Sequence, residues 1–470
     1  MKKPSSRDLA QNLTTLLGQS RVLSDELARQ RYSHDDAEWA PYELPLAVVL
    51  ARDIDDVVAT VRFAVRAGVR VVPRGAGSGL SGGANSIANC IVLSMEMMTN
   101  VTEVNVEERY AVVEAGVIND DLRKYVAQSG LWYPPDPASS AISTIGGNAA
   151  TNAGGICCVK YGVTRDYVIG MTVVLADGSI ARLGRHTAKG STGYDLTGLM
   201  VGSEGTLGII VDVTVKLLPL SGREERAVVG YFPSLTAAGD AVAAVTRSGI
   251  VPSALELVDG VCLRAVDDWQ GLGLPREANT LLLAQVDEVG DRGRELAASI
   301  ASHFRESGGM KVDVAESNAE VHTLFLARRL AYPALERLGP VLTEDICVPR
   351  SAVPEMLARI QIAAAENSVV IANIAHAGDG NLHPLIVAPD GDYGAKARAK
   401  LAFDQIVADC LSLGGTVTGE HGVGLLKLPG CAAELGPIVI GMHRAIKDSL
   451  DPLGVLNPGK AFPLLPEGKA

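Results

Sequence analysis

Residues 73–83 read Pro-Arg-Gly-Ala-Gly-Ser-Gly-Leu-Ser-Gly-Gly. The apolar run VRVVPRG (69–75) predicts a strand leading into this loop, and IVLSM (91–95) predicts another soon after it. Residues 77–82 even fit G-x-G-x-x-G, the pattern that seats a dinucleotide where a strand turns into a helix. Only residues 84–90 separate the loop from the next strand, so no helix follows and that reading fails. Consecutive backbone N–H groups of such a loop can instead form a concave nest for an anion. A plain glycine-rich turn is the alternative if the motif is taken alone.

Two further stretches strengthen the anion reading. Residues 134–140 read Pro-Pro-Asp-Pro-Ala-Ser-Ser, and 143–155 read Ser-Thr-Ile-Gly-Gly-Asn-Ala-Ala-Thr-Asn-Ala-Gly-Gly. Small and hydroxylated residues there have little capacity to pack as a core, as expected of a segment that wraps a ligand. Residues 202–209, Gly-Ser-Glu-Gly-Thr-Leu-Gly-Ile, repeat the chemistry. Three such stretches fit the lining of one extended ligand with phosphates at its centre.

Around the loop, LAVVLA (46–51) predicts a strand and residues 53–68 a helix that starts on Asp53 and stops at Gly68. Residues 170–184 read as a hairpin about Asp177-Gly178. From residue 221 onward Ala- and Arg-rich helical stretches alternate with strands, which reads as a second α/β domain. A long helix is expected near 394–413. Residues 1–40 read as polar and helical, an amphipathic start rather than a signal peptide. No run of about 18 apolar residues exists, so no membrane span is expected.

Composition sets outer limits. The chain has 470 residues, enough for two or three domains, and 47% are hydrophobic, which excludes global disorder. The net charge of −12 argues against a nucleic-acid partner. The seven cysteines show no C-x-x-C spacing and read as reduced thiols of a cytosolic protein, including adjacent Cys157 and Cys158.

Two motifs near the C-terminus carry most of the chemistry. His376-Ala-Gly-Asp-Gly-Asn-Leu-His383 spaces two histidines across a turn, and Glu420-His421 follows later. Two histidines and a carboxylate form a three-ligand set for a divalent cation, Zn or Mn, that leaves positions open. Hydrogen-bonded loop histidines are the other reading of the same residues. His421 suits a base near neutral pH.

Taken in order, PRGAGSGLSGG, PDP…STIGGNAATNAGG…YG and GSEGTLGI resemble the FAD-binding domain of the vanillyl-alcohol oxidase superfamily, over roughly residues 45–220. HAGDGNLHP, GEHGVG and NPGK resemble the branch of glycolate oxidase GlcD-type, D-lactate and D-2-hydroxyglutarate dehydrogenases. The resemblance implies an α+β chain: a two-part PCMH-type FAD-binding domain, an α/β substrate (cap) domain and a C-terminal helical segment returning to the flavin. The boundaries expected are an N-terminal segment 1–44, then 45–220, 221–413 and 414–470.

By motif match, Arg74, Gly75, Ala76, Gly77, Ser78, Gly79 and Leu80 would hold the pyrophosphate. Pro135, Ser140, Thr144, Gly147, Asn148, Asn152 and Gly154 would run beside it and the flavin. Glu204 and Gly205 join the cofactor set, with Ile209 near the adenine and Asn457 near the flavin. No histidine stands in the first loop, so the FAD is expected to be non-covalent. The same resemblance assigns His376, His383 and Glu420 to the metal, His421 to catalysis as base, Asn381 to the substrate and Arg328, in preference to Arg329, to the substrate carboxylate. Residues 344–349 are given no chemistry.

These roles imply oxidation of a small 2-hydroxy acid, of glycolate or D-lactate type, with D-2-hydroxyglutarate as an alternative. A quinone, a cytochrome or an electron-transfer flavoprotein would take the electrons, and a homodimer is left open. Location is expected to be cytoplasmic, with peripheral attachment to a membrane left open. A flavin-binding subunit without its own activity, and a non-redox flavoenzyme resembling the alkylglycerone-phosphate synthases, are the readings from other classes.

Overall fold

The computed structural model describes residues 6–187, 189–220, 222–315, 318–389 and 391–463; residues 1–5 of the expected N-terminal helix lie outside this range. The chain divides into two units. The first comprises Met1–Gly154, Val163–Leu220 and Glu420–Ala470, the second Gly155–Gly162 and Ser221–Gly419.

In the first unit, strands Ala47–Leu50 and Arg70–Arg74 both pair in parallel with Cys90–Ser94, which lies between them. The helix Ile54–Ala67 makes the crossover. Asp53 caps it by accepting from Asp56 N, and Gly68, at φ 65°, ends it in the left-handed region. The N-terminal helix Ser6–Leu17 adds Leu9, Leu13 and Leu17, spaced four residues apart along one apolar stripe, to the core beneath this sheet. Because Arg70–Arg74 is a parallel strand, the glycine loop leaves from its carboxyl end, where sheets of this kind present their ligand crevice. A second, antiparallel sheet runs in the order Val101–Asn105, Tyr110–Glu114, Ile209–Lys216, Val168–Val174, Ile180–Gly184. The last two form the expected hairpin about Asp177-Gly178.

The stretch expected to wrap a ligand without packing holds a short helix, Ile145–Thr151. Thr144 caps it through Gly147 N, and Asn152, at φ 54°, ends it. Its glycines lower intrinsic helix propensity, but Ile145 and Ala149 are fully buried, so tertiary packing overrides the local preference. A helix therefore does adjoin the first glycine loop, supplied from elsewhere in the chain.

The second unit is built on one large sheet, with strands in the order Lys311–Ala315, Arg226–Phe232, Thr280–Val286, Ala254–Asp259, Val370–His376, Asn381–Val387 and Val341–Thr343. Helices and strands alternate along the chain as expected, yet every pairing is antiparallel. The long helix expected near 394–413 is Ala395–Ser412. The segment 155–162 belongs to this unit: Lys160 and Tyr161 bond the carboxylate of buried Asp287.

Candidate active site

In the first unit a cleft opens along the glycine loop. Residues 74–80 of the first loop all line it. So do Thr144, Gly147, Asn148 and Gly154 of the second stretch, and Glu204, Gly205 and Ile209 of the third. Close approach explains the glycines: a Cβ on Gly75 would collide with Thr144 Oγ1, and Gly77 sits at φ +80° directly against the Arg74 guanidinium. Arg74 itself is turned toward backbone, donating to His34 O at 2.6 Å.

Four residues expected at the cofactor lie outside that wall. Asn152 caps the short helix and accepts from Arg165 N. Asn457 donates to Gly83 O at 3.0 Å and Glu204 O at 2.7 Å, holding two wall segments together. The Ser140 carbonyl accepts from Asp120 N, and Pro135 is buried. Asp35, Ser139 and Ser143, which sequence reasoning missed, do line the cleft.

Two buried polar atoms test whether the cleft fits a cofactor. Among the described residues, Ser143 Oγ and Asn148 Nδ2 have no hydrogen-bond partner, and both residues face the cleft. Buried polar groups are rarely left so, and a ligand rich in acceptors would satisfy the Asn148 amide and either role of the serine hydroxyl.

His421 and Glu420 also line this cleft, with His421 Nε2 3.8 Å from Glu420 Oε1. Their loop is held from below. Glu204 accepts from Val423 N and from Gly424 N, both at 2.8 Å, one on each carboxylate oxygen. Ser81 of the glycine loop donates to Gly422 O at 2.8 Å. Burial pushes the Glu204 carboxyl above the usual range, opposed by those two N–H groups and by Lys460 and Lys427. Lys460 of the NPGK motif is almost fully buried and donates to Gly83 O and Asn85 O. Burial lowers its pKa to about 8, against the pull of Asp35, Cys90 and Glu204.

The second unit assembles the first histidine motif. Val370–His376 and Asn381–Val387 form a hairpin in which Ile374 opposes His383. His376 lies two residues on, so both histidines share a face as diagonal neighbours, and their rings meet edge to face at 5.2 Å. His376 Nδ1 bonds Glu256 Oε1 at 2.7 Å. The other oxygen of Glu256 accepts from Arg328 Nε at 2.9 Å. Arg328 is buried while Arg329 is exposed. Burial opposes the Glu256 charge, yet His376 and Arg328 beside it hold its carboxyl below the usual range.

Residues 344–349 need correcting, because they do carry a site carboxylate. Asp345 is fully buried, 3.7 Å from His383 Nδ1, and accepts from Asn381 Nδ2 at 2.9 Å and Thr418 Oγ1 at 2.6 Å. Asn381 is thereby tied to Asp345 and to Ile346 O. A charge inside an apolar run was the available signal for both carboxylates: Glu256 in ALELVD and Asp345 in LTEDICV.

A glycine-lined cleft at the ends of parallel strands, with buried polar atoms facing it and a histidine in its wall, defines a protein built to hold an extended, acceptor-rich cofactor. The comparisons agree. Residues 45–184 match the FAD binding domain family and residues 222–461 the C-terminal domain of FAD linked oxidases. The glycolate oxidase subunit GlcD of Bacillus subtilis is 38% identical over 461 residues, covering 97% of each chain. A D-lactate dehydrogenase of Anaerostipes hadrus is 34% identical over 94% of each chain. Among solved structures, 4-ethylphenol oxidase from Gulosibacter chungangensis superposes with a TM-score of 0.81 over 98% of this chain and 97% of that one, at 17% identity. The chain belongs to the FAD-linked oxidases, has their PCMH-type fold and is an FAD-dependent oxidoreductase. No described helix is long and apolar enough to cross a membrane.

Proposed function

We propose that this chain oxidises a small 2-hydroxy acid of glycolate or D-lactate type to the 2-oxo acid, passing the electrons to a separate acceptor. The observation that carries this reading is His421 in the wall of the glycine-lined cleft. The names of the relatives, a glycolate oxidase subunit and a D-lactate dehydrogenase, support the substrate class.

FAD, when bound, supplies the two-electron acceptor for the hydrogen on C2. A divalent cation, Zn or Mn, when bound supplies Lewis-acid polarisation of the substrate hydroxyl. The motif assigns that cation to His376 and His383: Glu256 occupies His376 Nδ1, which leaves Nε2 as the nitrogen bearing the lone pair in the neutral ring, and His383 lies beside the buried Asp345 carboxylate. Glu420 is the carboxylate that the motif assigns to the same ion. His421 takes the hydroxyl proton, and its neutral form is the one that can do so. Arg328 binds the substrate carboxylate with the part of its planar fork that Glu256 does not use.

Anaerobic mixing with a panel of D- and L-2-hydroxy acids tests the reading. A matching acid bleaches the flavin band; failure of every acid to do so overturns the substrate class. His421→Ala should keep its flavin and lose about 10²–10⁴-fold in reduction rate, the range for a general base. Normal reduction in that variant removes His421 from the mechanism.

A further inference from the structure

We propose that Glu256 is a positioning residue that sets both His376 and Arg328, joining the proposed cation histidine to the proposed carboxylate anchor through one side chain. The inference rests on the function proposed above and names the group that organises that site.

Sheet register provides the first half of the geometry. Glu256 and His376 are directly opposed in the antiparallel pair of Ala254–Asp259 with Val370–His376. Directly opposed residues put their side chains on the same face with Cβ atoms about 4.5–5.5 Å apart, within reach of a Glu–His hydrogen bond. The bond formed is 2.7 Å long and lands on Nδ1. A carboxylate there accepts the Nδ1 proton and fixes the tautomer whose Nε2 can ligate a cation.

The second half comes from a helix. Arg328, on Asn318–Glu336, reaches the same carboxylate with Nε at 2.9 Å. This contact uses one edge of the guanidinium and orients the remaining Nη1/Nη2 edge. The carboxylate is fully buried, as are most of its two partners: side-chain exposure is 0% for Glu256, 5% for His376 and 8% for Arg328. Such a triad is a costly way to stabilise a sheet, since well-packed apolar residues of similar volume commonly do as well or better. A sheet needing only stability has no use for a carboxylate whose two oxygens go to these two residues. Glu256 works through His376 and Arg328 and is not itself assigned a contact with substrate.

The test uses the full-length, FAD-loaded protein and the variant Glu256→Gln, which keeps the size and removes the charge. Three quantities are read: Zn²⁺ and Mn²⁺ affinity by equilibrium dialysis after chelator treatment, KM and kcat for whichever 2-hydroxy acid the wild type oxidises, and the urea midpoint. Loss of the carboxylate behind a ligating histidine should weaken the metal by about 10–100-fold. KM should rise about tenfold or more, because Arg328 loses its orienting partner, with flavin content unchanged. Glu256→Asp restores the charge one methylene short, and serves if the Gln variant does not fold. It should recover part of the metal affinity without recovering KM fully. In a His376→Ala background, Glu256→Gln should no longer change metal affinity but should still raise KM.

Wild-type metal affinity and KM, within twofold, in a folded Glu256→Gln protein would overturn the inference. So would a fall in urea midpoint alone, which is the signature of a purely structural ion pair. If the wild type itself binds neither metal and oxidises no acid of the panel, the proposed function fails and takes this inference with it.

Discussion

Glu204→Gln keeps the shape of the side chain and removes one acceptor from beneath the His421 loop. In the native protein the two carboxylate oxygens each take one backbone N–H at 2.8 Å, from Val423 and Gly424. Hydrogen bonds to a charged group contribute about 1.5–3 kcal/mol each. The Gln oxygen keeps one of them at the neutral value of about 1 kcal/mol, while its NH₂ faces the other N–H and leaves it unsatisfied at a cost of about 1–3 kcal/mol. Removing a buried charge returns part of this, since burial already pushes the Glu204 carboxyl upward. The net loss of loop anchoring is about 2–4 kcal/mol, or roughly 30- to 700-fold in the equilibrium between held and released loop. Amide hydrogen exchange at Val423 and Gly424 reads that ratio directly. Protection there should fall by this factor, the flavin should remain bound, and reduction by a 2-hydroxy acid should slow because His421 is no longer held. Unchanged exchange at both amides would show that Glu204 does not anchor the loop.

Two further expectations concern the first unit. Gly75→Ala places a methyl group against Thr144 Oγ1, the cap of the short helix, so the purified variant should carry much less FAD while its far-UV circular dichroism stays native; full flavin content would refute the close-approach argument. Lys460, at about 8, binds its proton more weakly than the unfolded chain's lysine, ordinarily near 10.5. Between those values the unfolded state holds more protons, so stability rises with pH. The penalty of the buried charge beside Asp35, Cys90 and Glu204 is fully present below pH 8 and is relieved by up to about 3 kcal/mol by pH 10.5. Urea unfolding of wild type and Lys460→Met at pH 7.5 and 10 should show the wild type gaining on the variant; a constant difference refutes it.

The elements around the glycine loop were readable because their signals are local. Asp53 and Gly68 bracket Ile54–Ala67 as a cap and a left-handed stop, and the alternation of apolar residues marks the strands on either side. The loop's own glycines exclude a helix within it. The helix at Ile145–Thr151 was not readable, because its stability comes from the burial of Ile145 and Ala149 rather than from its glycine-rich sequence. The hairpin bearing His376 and His383 was visible as a turn with two ligand-type residues, but its diagonal register, which puts both rings on one face, needs the sheet.

The supporting carboxylates were the hardest to see, for a reason that also says what they do. Glu204 lies 219 residues from Val423, and Glu256 lies 120 residues from His376. No local pattern relates such partners; only the folded core brings them together. The glycine-rich stretch around Glu204 marks it as a cofactor contact, and the residue does line the cleft. Its side chain points to a different task. In each unit a buried carboxylate has both oxygens engaged at a histidine assigned a chemical role: Glu204 accepts from two backbone N–H groups of the His421 loop, and Glu256 accepts from His376 itself and from Arg328. A buried carboxylate stripped of one donor is strongly destabilised, so each histidine is held by the requirement to keep its carboxylate satisfied. The two arrangements share no residue, and mutations without shared partners tend to add. Glu204→Gln should therefore release the loop that carries Glu420 and His421 while leaving the Glu256 contacts to His376 and Arg328 in place, and Glu256→Gln should weaken cation affinity without raising exchange at Val423 and Gly424.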